Sequence, residues 1–458
     1  MPSWLSGSLP GRPGRRSKPS GSKNAVENPQ SARAGTATPG SESPGAPAAP
    51  AGAAADTENN PNAAGLTAAV PIEVDAAPAS ETDPAPAAPA ASGPAPIDPV
   101  PEPDAAVAAA EQAAARARAR ALDLPADGLG RLAEVSVWIA AAQGVSPPRP
   151  ITRARALLLA ADHGVATAGL YPWPAGATAR RAAAVATGGS PLAVLARRAD
   201  VGLRVVDVAI AEPAGAPAPA AAAPTDGYRV RGGNGRIDQE DALTVPELDL
   251  AFETGRRLAD EEIDGGADLL VAGALGVGAD TAAAVVVAAL RDLEPIDVVD
   301  RGDGSDDERW MLRTAAIRDA LRRARPFASD PRSVLRVAGG ADLAALAGLL
   351  VQAASRRTPV IIDGAPGCAA ALAAERIAPG ARAWWLVGAE SGDPAAKHVV
   401  GTLGLRPLVD LSTRADDGTG ALAAAALVID AVETAVDLDA AAATVRHADD
   451  ELSIPDIT

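Results

Sequence analysis

Apolar positions along this chain fall into two rhythms that begin only after its first quarter. Short runs that are apolar at nearly every position, RALLLAADHG, VGLRVVDVAIA, DLLVAGALGVG, PVIIDGAPG, AWWLVG and RPLVDLS, have strand length, and most end in Gly, Asp or Ser. Between them lie longer Ala-rich stretches such as TAAAVVVAALRDL and CAAALAAERIA, enough for roughly two to three helical turns. A strand embedded on both faces has no polar side to alternate. Runs of this kind separated by helices therefore predict a parallel sheet covered on both faces. The expected fold is α/β, a doubly wound, mostly parallel sheet with a smaller helical domain.

Two helices are expected ahead of the first strand. Asp104 stands where it can cap AAVAAAEQAAARARARAL, in which Glu111 lies one turn before Ala115 and Arg116, with arginines along one side. In GRLAEVSVWIAAAQG the apolar residues Leu132, Val135, Val137, Trp138 and Ala142 recur at helical spacing, and Gly144, Pro147 and Pro148 end the pattern. We therefore expect helices of the small domain at 104–150, the α/β domain at 151–435 and a C-terminal segment at 436–458. The stretch AEPAGAPAPAAAAPTDG, residues 211–227, has repeated Pro and Ala without periodicity and reads as a flexible insertion.

Composition changes this picture mainly at the beginning. Residues 1–103 are dominated by Pro, Ala, Gly and Ser, which cannot bury enough apolar surface to offset the entropy of ordering, so this long N-terminal tail is expected to be disordered. Its charges come in blocks: Arg12, Arg15, Arg16, Lys18 and Lys23 first, then Glu42, Asp56, Glu58, Glu73, Asp75, Glu81 and Asp83. With two Phe, two Tyr and six Trp in 458 residues, the core must be aliphatic. The 41 Lys and Arg against 58 Asp and Glu give a formal charge of -17, which disfavours nucleic acid as a partner. A single cysteine, Cys368, excludes an intrachain disulfide and a cysteine-rich metal site, and three histidines argue against a three-histidine metal centre. The opening MPSWLSGSLPGRPGRR lacks a continuous apolar region, so the reading is cytoplasmic, with no membrane partner.

In an open α/β sheet, ligands bind beyond the carboxyl ends of the strands. Five loops there can carry chemistry: Asp162-His163-Gly164, the run from Gly273 through Gly276 to Gly278, the run from Asp300 to Gly304, Asp363-Gly364, and the run from Asp416 to Gly420. GALGVGADT suits the approach of a phosphate to a helix start and equally suits a tight turn needing positive φ. His163 can bind a ligand or cap a turn. Cys368 follows GAPG at a helix start and reads as a buried small residue.

Taken in order, LGRLAEVSVWIAAAQG, ADHGVA, TGGSPLAVLA, EDALTVPE, LADEEIDGGADLLVAGALGVG, AGGADLAALAGLLVQAASRRTPVIIDG and LGLRPLVDLSTRADDGTGALAAA resemble the nicotinate-nucleotide:dimethylbenzimidazole phosphoribosyltransferase family, from the Asp104 helix to about Ala435. The resemblance implies a cofactor-free and metal-free transfer in cobalamin biosynthesis. The 5-phosphoribosyl group of nicotinate mononucleotide passes to 5,6-dimethylbenzimidazole, giving α-ribazole 5'-phosphate and nicotinate with inversion. It also implies a homodimer with small-molecule substrates.

Carried over position by position, the family's LGEGTGA reads Ala415 to Ala421 here, so Asp417 takes the place of the catalytic glutamate, with Asp416 beside it to share or substitute the role. The acid of GEMGIGNTT falls on Ala274, and Asp280 replaces a threonine, while Gly276 and Gly278 remain. Gly302, Gly304 and Arg313 fall on phosphate-binding positions, with Asp303 where a small hydroxyl is expected. Trp173, Arg180 and His163 are assigned to the base side, Arg180 replacing a glutamine; HRSSEPGH reads Ala389 to Ala396, without its histidines and arginine, and VRRGTGN reads Val230 to Arg236. Such a divergent member has two other readings: a nucleotide- or base-binding regulatory module that does not catalyse, or a transferase for a different base.

Overall fold

The computed structural model describes residues 97–212, 227–302 and 306–452. Five strands, β1 (Ala154–Ala161), β2 (Gly202–Ala209), β3 (Leu269–Leu275), β4 (Val360–Ile362) and β5 (Trp385–Val387), form one sheet in the order β2-β1-β3-β4-β5, with every pairing parallel. The chain moves from β1 outward to β2, then returns across β1 to β3. The carboxyl ends of β1 and β3 are therefore the topological switch point at which such sheets open a crevice.

The described helices are α1 (Ala105–Ala121), α2 (Arg131–Gln143), α3 (Ala177–Ala186), α4 (Pro191–Arg198), α5 (Val245–Asp264), α6 (Ala279–Arg291), α7 (Pro295–Val298), α8 (Asp307–Ala324), α9 (Pro331–Val334), α10 (Gly340–Ser355), α11 (Gly364–Ile377), α12 (Pro394–Leu403) and α13 (Thr419–Leu452). Many begin where the sequence supplies a cap. Asp104 accepts from Ala106 and Val107, Thr244 and Glu247 form a capping box, and Ser190-Pro191 and Asp393-Pro394 pair a side-chain acceptor with a proline that needs no N–H partner.

Alternation along the strands separates two cores. Leu157, Leu159, Leu270 and Ala272 face one layer, with α5, α6, α10 and α11; Leu158, Ala160, Leu269 and Val271 face the other, with α2, α4 and α13. Pro331–Ser355 is long and apolar enough to cross a membrane, but it is almost wholly buried here as the central helix of the first layer. Residues Val135 and Ile139 of α2 share a core with the sheet, so the helices at 104–150 close one face of the α/β fold, together with α13.

Several expectations need revision. The chain is already placed before Asp104: the Val100 side chain is buried and its N–H donates to Pro379, and the Trp384 indole N–H donates to the Pro101 carbonyl. Residues 1–96 of the expected tail and 213–226 of the expected insertion lie outside the described residues. RPLVDLS forms only a single bridge, Ala389 with Val409, because Pro407 lacks an N–H and Asp410 turns the chain by accepting from Ser412. Glu111 lies one turn before Ala115 and Arg116 on α1 but pairs further along the helix. It is fully buried, paired with Arg118 and accepting from Ser146 at 2.7 Å. The helix α13 runs unbroken through the boundary expected at 435/436.

Helices α5 and α10 meet backbone to backbone. A Cβ on Gly255 would stand 1.7 Å from the Ala345 carbonyl oxygen, and one on Gly348 2.0 Å from that of Phe252. Ala in place of Gly gains about 1 kcal/mol in an open helix, whereas overpacking a core costs roughly 1–3 kcal/mol or more. Gly348→Ala is therefore expected to lower stability by about that amount in urea denaturation. A stabilised variant would show that the two helices are not in contact.

Candidate active site

Where β1 and β3 part, Gly276 passes so close to Ala161 that a Cβ would lie 1.9 Å from its carbonyl oxygen. Only a residue without a side chain permits this approach. The loops are then tied together. Thr178 Oγ1 donates to Asp162 at 2.5 Å and accepts from the Val277 N–H at 3.1 Å, while the other Asp162 oxygen accepts from Ala211 at 2.9 Å. Gly278 follows at φ +96°, directly over the His163 Cβ, and starts α6 without a side-chain cap.

Beyond these ends opens a cavity of about 610 Å³. Its wall carries Tyr171, Trp173, Arg180 and Arg181 from the β1 side, Ala274, Gly276, Gly278 and Asp280 from the β3 side, and Asp300, Asp393, Arg414, Asp416 and Asp417 from the remaining loops. The structure thus brings Trp173, Arg180, Gly276, Gly278, Asp416 and Asp417 together. Gly302 stands just outside, its carbonyl accepting from Arg414 at 2.8 Å. Arg313 stands behind the wall, 3.5 Å from Asp280 and over the Tyr171 ring at 4.8 Å. Gly304 and Asp303 lie outside the described residues.

His163 does not join them. It is buried away from the cavity, its Nε2 is 3.0 Å from Asp342, and its backbone N–H donates to the Val277 carbonyl. Burial opposes the charge on its imidazole, but Asp342, Asp162 and Asp280 outweigh it and raise the pKa overall. This is an internal pair that fixes the loop, reinforced by Asn234, whose side chain donates to Asp342 and accepts from Ala341 at 2.8 Å.

The two neighbouring acids differ sharply. Asp417 is engaged on both oxygens: Oδ2 accepts from Arg181 at 3.2 Å, and Oδ1 accepts from the Thr419 hydroxyl at 2.6 Å and its N–H at 3.2 Å, which starts α13. Asp416 sits at φ +48°, a left-handed conformation that aspartate tolerates better than most residues, and accepts from Ser391 at 3.0 Å. Burial, opposed by the Ser391 hydrogen bond and reinforced by Asp280, Asp300 and Asp417, pushes its carboxyl up to about 6. Asp363, buried at the start of α11 and accepting from Gly420 at 2.9 Å, is likewise pushed up to about 6 by burial and Asp416. Burial, Asp416 and Asp280 also raise Asp393 well above the usual range.

Sequence reasoning did not find Arg181, Arg414, Asp393 or Tyr171. Arg181 and Arg414 adjoin motif residues but gave no pattern of their own, and Asp393 showed only as an acid before a proline. The cavity holds five aspartates (Asp280, Asp300, Asp393, Asp416, Asp417) and three arginines (Arg180, Arg181, Arg414) among the described residues. Ala274, 3% exposed, brings no acid to the wall.

Comparison with known proteins converges on one family. A family model described as Phosphoribosyltransferase matches residues 101–445. The nicotinate-nucleotide--dimethylbenzimidazole phosphoribosyltransferase of Mycobacterium tuberculosis is 48% identical over 304 residues, 66% of this chain and 82% of the relative. That of Mycolicibacterium paratuberculosis is 48% identical over 315 residues, 68% and 87% of the two chains. The crystal structure of the protein of that name from Thermus thermophilus superposes with a TM-score of 0.65 at 33% identity, covering 72% of this chain and 96% of its own. With the fold and three-quarters of its length matched, the chain belongs to the nicotinate-nucleotide–dimethylbenzimidazole phosphoribosyltransferase family.

Proposed function

We propose that the chain transfers the 5-phosphoribosyl group of nicotinate mononucleotide to a ring nitrogen of 5,6-dimethylbenzimidazole. The observation that carries this reading is Asp416, a carboxylate on the cavity wall whose pKa of about 6 suits proton transfer near neutral pH. The acceptor nitrogen forms a bond to C1' of the ribose. The bond from C1' to the pyridine nitrogen breaks, and its electron pair stays with nicotinate. The acceptor's N–H proton passes to Asp416. Asp417, held by Arg181 and Thr419, positions this wall. Trp173, 62% exposed at the cavity mouth beside Arg180, offers a flat face for an aromatic ring. The reading includes a cytoplasmic location and a homodimer, the second checked by sedimentation of the purified protein.

A second reading, a module that binds base or nucleotide without transferring, draws on Ala274, which leaves the wall without an acid the resemblance implies. Calorimetry separates the two, since binding of either ligand without α-ribazole 5'-phosphate by chromatography selects the module.

The carboxyls make the reading testable in rate and in stability. Asp416→Asn, which keeps the shape and tolerates positive φ, is expected to lower kcat about 100-fold or more, and the ascending limb of the wild-type pH profile is expected near 6. Asp417→Asn with the greater loss would move the proton-accepting role to Asp417. For stability, the folded carboxyl of Asp416 binds its proton more tightly than the unfolded chain does. Its contribution therefore falls as pH rises from about 4 to about 6 and is flat above. At pH 7 Asp416→Asn should be more stable than wild type in urea denaturation, by about 3 kcal/mol at most, with the gap closing towards pH 4. A gap independent of pH would mean that the carboxyl is not held up.

A further inference from the structure

The segment from Ala389 to Ala396 has none of the histidines or the arginine of the motif it resembles, and its buried polar side chains are Ser391 and Asp393. It is pinned where it passes the start of α13. The Glu390 N–H donates to the Val409 carbonyl at 2.8 Å, and the Val409 N–H to that of Gly388 at 3.1 Å. A Cβ on Gly388 would stand 2.6 Å from the Ala421 Cα, so only glycine permits the two backbones to meet there. Ser391, 8% exposed, is thereby carried to the side chain of Asp416.

A serine hydroxyl has one proton to give, and here its direction is set. The Asp393 N–H donates to Ser391 Oγ at 3.0 Å, while the Asp393 carboxylate accepts from the Ala395 N–H at 2.7 Å and caps α12. With a donor already directed at Oγ, the hydroxyl proton points to the acceptor that is left, Oδ1 of Asp416, at 3.0 Å. From the other side Gly364, at φ +66°, lets the chain close in: a Cβ there would lie 2.7 Å from the Asp416 Cα. Asp416 itself falls on a glycine of the resembled LGEGTGA and keeps the left-handed backbone, at φ +48°. An acid placed on such a turn needs a partner to fix its side chain. No described residue other than Ser391 donates to it, which leaves Oδ2 unpaired among the described residues on a side chain that lines the cavity.

We propose that Ser391 is a positioning residue for the transfer: by occupying Oδ1 of Asp416 it turns Oδ2 to the acceptor base and makes Oδ2 the atom that receives the acceptor's proton. The inference rests on the proposed reaction, with Asp416 as the proton acceptor. As the proton leaves, the N–H electron pair stays in the acceptor ring. The groups around Asp416 give the hydroxyl a second effect. Asp417 of its own loop, Asp280 of α6, Asp300, Asp363 and the Cys368 thiol of α11, and Asp393 before α12 are all acids, and the arginines of the same wall, Arg181 and Arg414, are held by Asp417 and Asp300. The Ser391 hydrogen bond favours the charged carboxyl against these acids and against burial, so its removal raises the pKa of Asp416.

The test joins a titration that needs no turnover to the kinetics. The full chain, labelled with carbon-13 at its aspartate carboxyls, is titrated by NMR as wild type, as Ser391→Ala and as Ser391→Thr, the Asp416 signal being the one missing from Asp416→Asn. Ser391→Cys, close in shape but a weak donor, replaces the alanine variant should that fail to fold. In Ser391→Ala the Asp416 carboxyl is expected to titrate about one pH unit higher, as befits the loss of a hydrogen bond to a charged group, and Ser391→Thr is expected to restore the wild-type midpoint. The ascending limb of the rate profile should move up with it. For Ser391→Ala, kcat should fall about tenfold or more at pH 7 while KM for both substrates stays within about threefold, the mark of a misaimed proton acceptor in an intact binding site. An Asp416 midpoint that stays or falls in folded Ser391→Ala overturns the proposal, as does a rise that folded Ser391→Thr does not reverse, or a wild-type kcat without the hydroxyl. Failure of the proposed reaction appears separately, as a wild type that forms no α-ribazole 5'-phosphate or an Asp416→Asn variant of full activity, while the titration still reads the hydrogen bond.

Discussion

At the carboxyl ends of β1 and β3 two neighbouring strands send their chains to opposite sides of one sheet, and the backbones are too close there for any side chain at Gly276. The loops that line the cavity are arranged around that gap. Asp162 holds it open by a chain of hydrogen bonds through Thr178 to Val277, and the buried pair of His163 and Asp342 props it from beneath. Both sets of bonds join segments that are far apart in sequence. The cavity is therefore a property of the assembled sheet, and no single loop forms it.

That arrangement leaves the cleft unusually acidic for a protein related to enzymes of phosphorylated ribose. Five aspartates converge on a space lined by three arginines, and burial holds the carboxyls of Asp416 and Asp393 up, easing the repulsion. The burial that holds the Asp416 carboxyl up also makes the cleft cost stability at neutral pH. An active site strained in this way is common where function and stability compete.

Strand runs, helix caps and the order of ligand loops were legible in the sequence because each depends on neighbours within a few residues. Asp104 caps α1 as its local pattern said it would. The site was legible only as a set of loops. Asp417 caps Thr419 two residues on, but nothing local shows that Asp416 is the buried acid beside Ser391 or that Arg181, 236 residues away in sequence, takes the other oxygen of Asp417. His163 looked like a ligand because it follows a strand, but its ring turns inward to Asp342, 179 residues on. RPLVDLS had the composition of a strand, yet its partner β5 is three residues long, which leaves little edge to pair with.

The helix α13 joins distant parts of the molecule. Its first residue, Thr419, donates to Asp417 on the cavity wall, Gly420 meets Asp363, and Asp439 further along reaches Arg118 of α1 at 3.3 Å. Twenty residues of unbroken helix span roughly 30 Å at 1.5 Å per residue. Asp417 of the cleft wall therefore stands at the start of a long helix that is held further along by the helical layer. Arg118, far from the cleft in sequence, is thus joined to its wall through one continuous helix.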